Sequence, residues 1–317
     1  MKGTYIFKQN GKEIARSSNI ITDLGKQQIA KSLAFQNTQW ASRMAIGAGS
    51  TSESVSDIFL NFEYARSDIK SISSQQNTPT SGKIRLAAKA LLTESVSGKI
   101  YEVGIFSSSV NPDAFEIPIF QCLDNELWDA VNDSLGTLID TENLSPSPHV
   151  SAPVVVGDGY SYRIGDQSLY FGRVNAFGGN RTVRISTNQD FSEVGYSDNF
   201  LIAYYKPSSA GSSMLTVKFC QDANNYFSKT ITTSSTGYII DSSQKSLYTA
   251  SGASPSWDAI TYIEITSNNQ YVYLDGMRVK RSISDDQNVL VSRSVLSSPV
   301  TKIEGTPLEI EYYLDLF

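Results

Sequence analysis

The sequence predicts a mainly β protein with two domains. One is a β-rich domain with one or two short helices, split between the two ends of the chain; the other is a β-sandwich of the jelly-roll type inserted into it. Alternating strand patterns run through residues 1–106 and resume at residues 289–317. The residues between them are rich in Tyr, Ser and Asn, and they form many short apolar or alternating runs separated by turn residues. Such a pattern is typical of sandwiches, and 317 residues suffice for two buried cores.

The split domain is predicted to comprise residues 1–111 and 284–317, because neither segment forms a complete pattern by itself. A whole domain can be inserted where the two ends of the interruption lie close together. The domain is expected to open with a hairpin over residues 4–16, since Asn10-Gly11 stands between two alternating runs and both residues accept positive φ.

Helices are predicted at two places in the split domain. Thr22 or Asp23 is expected to cap a helix over residues 24–35. A second short helical or turn segment is predicted over residues 57–64.

The inserted sandwich is predicted to span residues 151–283, after a linker over residues 112–150. Within the linker, apolar side chains recur at helical spacing over residues 125–135, so a short amphipathic helix is expected there. Pro146 and Pro148 favour an extended tether. Strands of the sandwich are predicted at residues 168–171, 182–185, 200–205, 214–219, 260–266, 271–274 and 277–280.

Composition restricts the partners and the compartment. The net charge is −6 and the basic residues are scattered, whereas a nucleic-acid partner requires a clustered basic face. No apolar run approaches the ~20 residues of a membrane helix, and no secretory signal is visible, so no membrane insertion is expected. Cys122 and Cys220 are too few for a disulfide framework. They are predicted to be buried thiols of a protein made in a reducing cytoplasm.

No catalytic residue and no metal site is predicted. His149 is the only histidine, and it lies in a Pro-Ser tether that would not orient an imidazole for catalysis or for zinc. Glycoside hydrolysis requires two carboxylates across the sugar, and Glu264 stands alone on its strand. No cofactor is expected. A structural calcium ion at the turns Asp158-Gly159 or Asp275-Gly276 is left open, against the simpler interpretation of plain turns.

A polar ligand site is predicted on the sandwich. Sugar recognition combines aromatic faces, which pack on C–H groups, with amides and carboxylates, which fix hydroxyl groups. Two loops of the sandwich carry both types of side chain, and Trp257 is expected to be exposed. The candidate ligand-binding residues are Trp257, Asp258, Asp222, Asn225 and Tyr226. The alternative for each aromatic residue is plain packing in the sandwich.

Several segments of the split domain resemble a family of bacteriophage tail and baseplate proteins. The segments are Ile21-Thr22-Asp23-Leu24-Gly25, residues 44–51, residues 98–106 and the closing residues 300–316. The resemblance implies a virion attachment module that docks to other tail or baseplate proteins, a homo-oligomer, and a location in virions assembled in the host cytoplasm. In usual members of the family the segment after Gly104-Ile105-Phe106 leads almost directly into the closing strands.

The inserted domain resembles concanavalin-type and carbohydrate-binding jelly rolls. Residues 167–171 are similar to an early strand of such domains, and residues 262–265 with 272–276 are similar to their late hairpin. The combined resemblance implies a tail, baseplate or fibre protein whose insert recognises a host glycan or decorates the particle. Two alternatives stay open: a carbohydrate-active enzyme, such as a glycanase or depolymerase, and a purely structural spacer without a ligand.

Overall fold

The computed structural model contains two compact units, which are described separately. One unit comprises Met1–Ala114 with Ile283–Phe317, and the other comprises Phe115–Ser282. The structure describes residues 1–34, 39–76, 84–107, 116–121, 128–131, 154–156, 163–164, 168–171, 181–192, 194–207, 212–267, 272–280 and 289–316.

The first unit is a closed antiparallel β-barrel with one helix. Its elements are β1 (Lys2–Gln9), β2 (Lys12–Ile21), α1 (Asp23–Leu33), β3 (Arg43–Gly47), β4 (Glu63–Gln76), β5 (Ile84–Leu92), β6 (Gly98–Phe106), β19 (Leu290–Lys302) and β20 (Leu308–Asp315). The strand order around the barrel is β1-β2-β19-β6-β3-β4-β5-β20. The two strands from the C-terminal part therefore separate β2 from β6 and β5 from β1, and they close the barrel.

The start of the barrel follows the local signals in the sequence. Asn10 and Gly11 have φ angles of 50° and 74° in the turn between β1 and β2, so the predicted hairpin is confirmed. Thr22 caps α1 by accepting a hydrogen bond from the backbone N–H of Gly25 at 2.9 Å. Of the helical or turn segment predicted over residues 57–64, the helical alternative is wrong: a turn at residues 55 and 56 is followed by an irregular segment with bends over residues 57–62, and β4 begins at Glu63.

A buried ion-pair network fixes the loop between β3 and β4. The Glu102 side chain, fully buried on β6, accepts hydrogen bonds from the backbone N–H groups of Gly49, Asn61 and Phe62 at 3.1, 2.9 and 2.7 Å. Arg293 of β19 donates to Glu102 at 2.9 Å and to Asp57 at 2.8 Å. Loop and strands are thus joined by charge-assisted hydrogen bonds, which are stronger than neutral ones.

The second unit is a β-sandwich of two antiparallel sheets, as predicted. Its elements are β7 (Glu116–Gln121), β8 (Trp128–Val131), β9 (Val154–Val156), β10 (Ser168–Phe171), β11 (Arg181–Gln189), β12 (Asn199–Lys206), β13 (Ser213–Cys220), β14 (Tyr226–Thr233), β15 (Gly237–Gln244), a 3₁₀ turn (Lys245–Leu247), β16 (Thr249–Ser251), β17 (Ile260–Ser267) and β18 (Val272–Lys280). One sheet has the order β15-β12-β18-β10-β9, with β7 also pairing β18, and the other has the order β16-β14-β13-β17-β11-β8.

The sandwich core is made by the alternate, inward-facing residues of both sheets. Phe200, Ile202 and Tyr204 of β12 meet Leu215, Val217 and Phe219 of β13, together with residues of β17 and β18, in one buried cluster. Aromatic rings concentrate where β12, β13 and β14 meet the connection before β17.

Two segments of the predicted linker belong to the sandwich. The predicted helix over residues 125–135 is wrong for its central part, because Trp128–Val131 is a strand that pairs with residues 182–185 of β11. Similarly, residues 116–121 pair with β18. The edge of an existing sheet supplies backbone partners, and these outweigh the helical spacing of a few apolar side chains. Pro146, Pro148 and His149 lie outside the described residues.

The prediction of a turn at Asp275-Gly276 is also wrong. Both residues lie inside β18, where the pairing with β12 shifts by one residue. Asp275 is fully buried, and its carboxylate accepts hydrogen bonds from the backbone N–H groups of Arg163 and Ile164, at 2.8 and 3.1 Å, and from the Tyr238 hydroxyl. The segment therefore offers no open loop for a calcium ion. Asp158-Gly159 lies outside the described residues.

Candidate functional site

A pocket lies among three connections of the sandwich. They are the segment between β11 and β12, the 3₁₀ turn after β15, and the segment between β16 and β17. The pocket has a volume of about 680 Å³, within the range of small-molecule sites. Its described lining residues are Ser192, Tyr196, Phe227, Lys245, Ser246, Tyr248, Pro255, Ser256, Trp257 and Asp258.

Backbone hydrogen bonds join the three connections. The N–H of Phe191 donates to the carbonyl of Trp257 at 2.7 Å, and the N–H of Lys245 donates to the carbonyl of Asp198 at 2.9 Å. The N–H of Ser246 donates to the carbonyl of Tyr196 at 3.1 Å. The pocket walls are therefore held to one another without any ligand, which reduces the ordering cost of binding.

Packed aromatic rings form the floor of the pocket. The Trp257 ring stacks on the Phe227 ring, with centroids 4.1 Å apart and planes 12° apart. It also stacks on the Phe200 ring, with centroids 5.6 Å apart. Trp257 is only 9% exposed. Its expected exposure is therefore wrong, because neighbouring rings cover its faces. Trp257 lines the pocket as part of the core. Tyr248 is buried beside it, and burial raises the pKa of its hydroxyl.

Tyr196 is the exposed aromatic residue of the pocket. It is 71% exposed, although its ring lies in the pocket wall. The turn that presents it is closed by Asp198, whose carboxylate accepts the backbone N–H of Gly195 at 2.8 Å, and whose own N–H donates to the carbonyl of Gly195 at 3.0 Å. A large exposed ring on a fixed turn can pack against the C–H face of a ligand.

The polar groups of the pocket come from hydroxyl groups, one carboxylate and one ammonium. The hydroxyl groups belong to Ser192, Ser246, Ser256 and the two tyrosines, and the carboxylate belongs to the exposed Asp258. The Lys245 ammonium lies 5.0 Å from the Trp257 ring centroid and 5.4 Å from that of Tyr196. Together they offer donors and acceptors around an aromatic surface.

Three of the predicted ligand residues lie outside the described lining of this pocket. Asp222 accepts hydrogen bonds from the backbone N–H groups of Asn224 and Asn225, at 2.7 and 2.9 Å, and from the Asn225 side chain at 2.8 Å. These bonds lower the pKa of the Asp222 carboxyl. The Asn225 side-chain oxygen in turn accepts the N–H of Ala253 at 3.1 Å. Asp222 and Asn225 therefore brace the loop that leads to Trp257.

Tyr226 has a different environment. It lies on β14 with the Lys218 ammonium 4.8 Å from its ring centroid. Of the five predicted residues, the structure thus brings Trp257 and Asp258 into one pocket. It adds Tyr196, Lys245 and the three serines, which are not among the five candidates. An aromatic residue in the turn Gly195-Tyr196-Ser197-Asp198 was a usable signal for Tyr196; no sequence signal marked Lys245.

The described residues hold no group of three or more His, Cys, Asp or Glu side chains that could bind a metal ion. Cys220 is a buried free thiol, and burial raises its pKa to about 12. Within the same residues, no helix has the length and apolar character needed to cross a membrane. Cys122 lies outside the described residues.

No family model matches the chain, and no curated protein matches it. Among solved structures, it is similar to a family 11 carbohydrate-binding module of a cellulosomal cellulase of Clostridium thermocellum, with 8% identity and a TM-score of 0.37, over 53% of this chain and 95% of that one. It is also similar to a carbohydrate-binding module specific for non-crystalline cellulose, with 13% identity and a TM-score of 0.31, over 52% of this chain and 94% of that one.

An agarase is similar at 14% identity with a TM-score of 0.33, over 53% of this chain, which spans only 25% of the agarase. All three are distant likenesses. The sandwich architecture of the second unit is established by its own strand pairing.

Proposed function

We propose that the sandwich unit binds a carbohydrate, with the pocket around Tyr196 and Trp257 as its site. The observation that carries this proposal is an exposed aromatic ring beside a preformed pocket with hydroxyl, carboxylate and ammonium groups. Sugars present both C–H faces and hydroxyl groups, so they can use the ring and the polar groups together.

The proposed activity is binding without catalysis. Asp258 is the only carboxylate among the described lining residues, whereas hydrolysis of a glycosidic bond uses a pair of carboxylates. A glycanase is therefore less well supported than a binding protein. A spacer without any ligand would not require a polar pocket with an exposed tyrosine.

A glycan array with the full chain tests the binding proposal. Tyr196→Ala should weaken retention of the bound glycan about tenfold, as expected for a lost aromatic contact. Because Tyr196 is largely exposed, the variant should keep its stability. Tyr226→Ala, which removes a sandwich tyrosine outside the described lining, is the matched control and should bind like the wild type. Retention of no glycan, or equal retention by both variants, would contradict the proposal.

We also propose that the chain is a structural component of a bacteriophage tail, baseplate or fibre, with the sandwich used for host-glycan recognition or particle decoration. The support is the resemblance of the barrel segments to tail and baseplate proteins. These segments comprise the cap of α1, the central strand β6 and the closing strand β20. The proposed partners are other tail or baseplate proteins and further copies of this chain, and the proposed location is the virion.

The virion role can be tested by labelling. Antibodies against the chain should decorate phage particles released from the bacterium that produces it, at a fixed and repeated position on the tail. The virion role would be contradicted if the antibodies label only soluble material and mass spectrometry finds no copy of the chain in purified particles. That result would leave the carbohydrate-binding proposal unaffected.

A further inference from the structure

Lys245 is a buried cation in the pocket wall with an incomplete set of acceptors. It is 4% exposed. Its Nζ donates to the carbonyl oxygens of Phe191 and Val194, both at 2.7 Å. An ammonium has three N–H donors, so one of them has no acceptor within the described part of the chain.

The charge of Lys245 is only partly compensated. The Trp257 and Tyr196 rings attract the cation through their faces. No ion pair to Lys245 occurs among the described residues. The charges of Asp198 and Asp190 favour the ammonium, but their effect is smaller than that of burial, which lowers the pKa of Lys245. A buried charge without a partner is costly, so a ligand that supplies a negative charge would relieve this cost.

Lys206 is a buried lysine of the same sandwich in which all three ammonium N–H donors have acceptors. It is 1% exposed, and its ammonium donates to the carbonyls of Thr233, Ser234 and Ser235 at 3.4, 3.2 and 3.1 Å. All three donors are used within the protein, and Lys206 is not among the described lining residues of the pocket. Lys245 differs from Lys206 in both respects. Lys302 of the barrel also has two carbonyl acceptors, those of Val96 and Ile303, but it is not among the described lining residues of the pocket. The position of Lys245 in the pocket lining therefore points to a ligand as its third acceptor.

We propose that the pocket selects a carboxylate-bearing sugar, such as a uronic acid, whose carboxylate accepts the third N–H of Lys245 while its ring packs on Tyr196. This inference rests on the proposed carbohydrate function and specifies its ligand class. Asp258 is exposed, so water and salt screen its repulsion of the ligand carboxylate, and it remains available to ligand hydroxyl groups. The cation already held between the two rings disfavours ligands that carry an ammonium group.

The test compares methyl β-D-glucuronide with methyl β-D-glucoside, which differ only in the oxidation of one carbon. Their affinities for the full chain are measured by nuclear magnetic resonance titration, which detects weak binding. The glucuronide should bind about tenfold more tightly, the scale of one charge-assisted hydrogen bond, and the preference should shrink as salt is added. Acetate should bind far more weakly than the glucuronide, since it lacks the sugar ring.

Lys245→Met should bring the two sugars to within about twofold of each other by removing the charge-assisted bond, whereas the control Lys206→Met should retain the acid preference. Equal affinities in the wild type would overturn the acidic ligand class and leave carbohydrate binding standing. Binding of neither sugar, or acetate binding as tight as the glucuronide, would also overturn it. The salt dependence of the wild type tests the inference even if Lys245→Met does not fold.

Discussion

The buried charges at Arg293 in the barrel and at Asp275 and Lys245 in the sandwich are compensated to different degrees. In the barrel, Arg293 is matched by the carboxylates of Glu102 and Asp57, and Glu102 also accepts three backbone N–H groups. In the sandwich, no cationic side chain donates a hydrogen bond to Asp275 within the described residues, and one of its carboxylate oxygens has no hydrogen-bond partner among those residues. Lys245 has two carbonyl acceptors for three donors within the part of the chain that the structure describes. The paired charges around Arg293 serve the structure of the barrel, whereas the incompletely paired sites at Asp275 and Lys245 leave capacity for a proton and a ligand.

The comparison predicts the largest effect in the barrel. Glu102→Gln should lower the free energy of unfolding by about 3–5 kcal/mol, because removing one member of a buried pair leaves the other charge uncompensated. Urea denaturation gives the loss, and hydrogen exchange of the barrel amides assigns it to this unit. Glu309→Gln, which breaks a surface pair with Lys89, is the control and should cost less than about 1 kcal/mol. Equal costs for the two variants would remove the distinction between buried and surface pairs.

In the sandwich, Trp257→Ala should cost about 3–5 kcal/mol, as expected for deleting a large core side chain. Trp257 is stacked on Phe227 and Phe200, so its main contribution is to packing. The melting temperature of the sandwich is the measurement. A variant of full stability that has lost its ligand would instead make Trp257 a binding residue without a structural role.

The variant Asp275→Asn tests how the incompletely paired carboxylate of Asp275 affects the pH dependence of the stability of the sandwich. Burial raises the pKa of Asp275 from 3.8 to about 7, against the opposing hydrogen bonds from Tyr238, Arg163 and Ile164 and the charge of Arg163. A folded-state pKa above the unfolded value favours the protonated folded state. The stabilisation is therefore complete below pH 3.8 and is lost as the pH rises through about 7.

The wild-type sandwich should accordingly lose about 4 kcal/mol of stability between pH 4 and pH 8 through this group. Asp275→Asn should flatten that part of the profile, because the amide stays neutral. Denaturation at a series of pH values, with Asp222→Asn as a surface control, provides the measurement. Parallel profiles for wild type and Asp275→Asn would show that Asp275 does not titrate in this range.

The smallest expected effect concerns the loop before Trp257. Asn225→Ala removes the acceptor for the N–H of Ala253 and the donor to Asp222. Because both bonds are exposed, the cost should be about 1 kcal/mol. Glycan affinity should fall only slightly, since Asn225 is not among the described lining residues of the pocket. A loss of binding as large as that of Tyr196→Ala would place Asn225 in the site.

Local signals in the sequence predicted the elements that local chemistry determines. The Asn10-Gly11 hairpin and the Thr22 cap depend on a few neighbouring residues, and both are present. Strands β7 and β8 could not be predicted, because they exist through pairing with β18 and β11, which lie far away in the sequence. Asp275-Gly276 has turn composition, but Gly276 is held in a strand by partners on both sides, Ala203 and Gln121.

The site was predicted in part for the same reason. Trp257 and Asp258 were found from residue type, whereas the burial of Trp257 depends on Phe227 and Phe200, which come from other strands. No pattern in the sequence marked Lys245, because its burial and its contacts in the pocket depend on residues that are distant in the sequence. The two carbonyls and two rings that enclose its ammonium come from separate connections.

The closure of the barrel by β19 and β20 has a consequence for the order of events during synthesis on the ribosome. The sandwich strands lie within residues 116–280, so this unit can fold while the rest of the chain is still being made. The barrel must wait, because β1 pairs with β20 and β2 pairs with β19. Until then β1 and β2 present unpaired edges, which attract other chains. A sandwich that is already compact shortens the effective loop to be closed and so lowers its entropic cost.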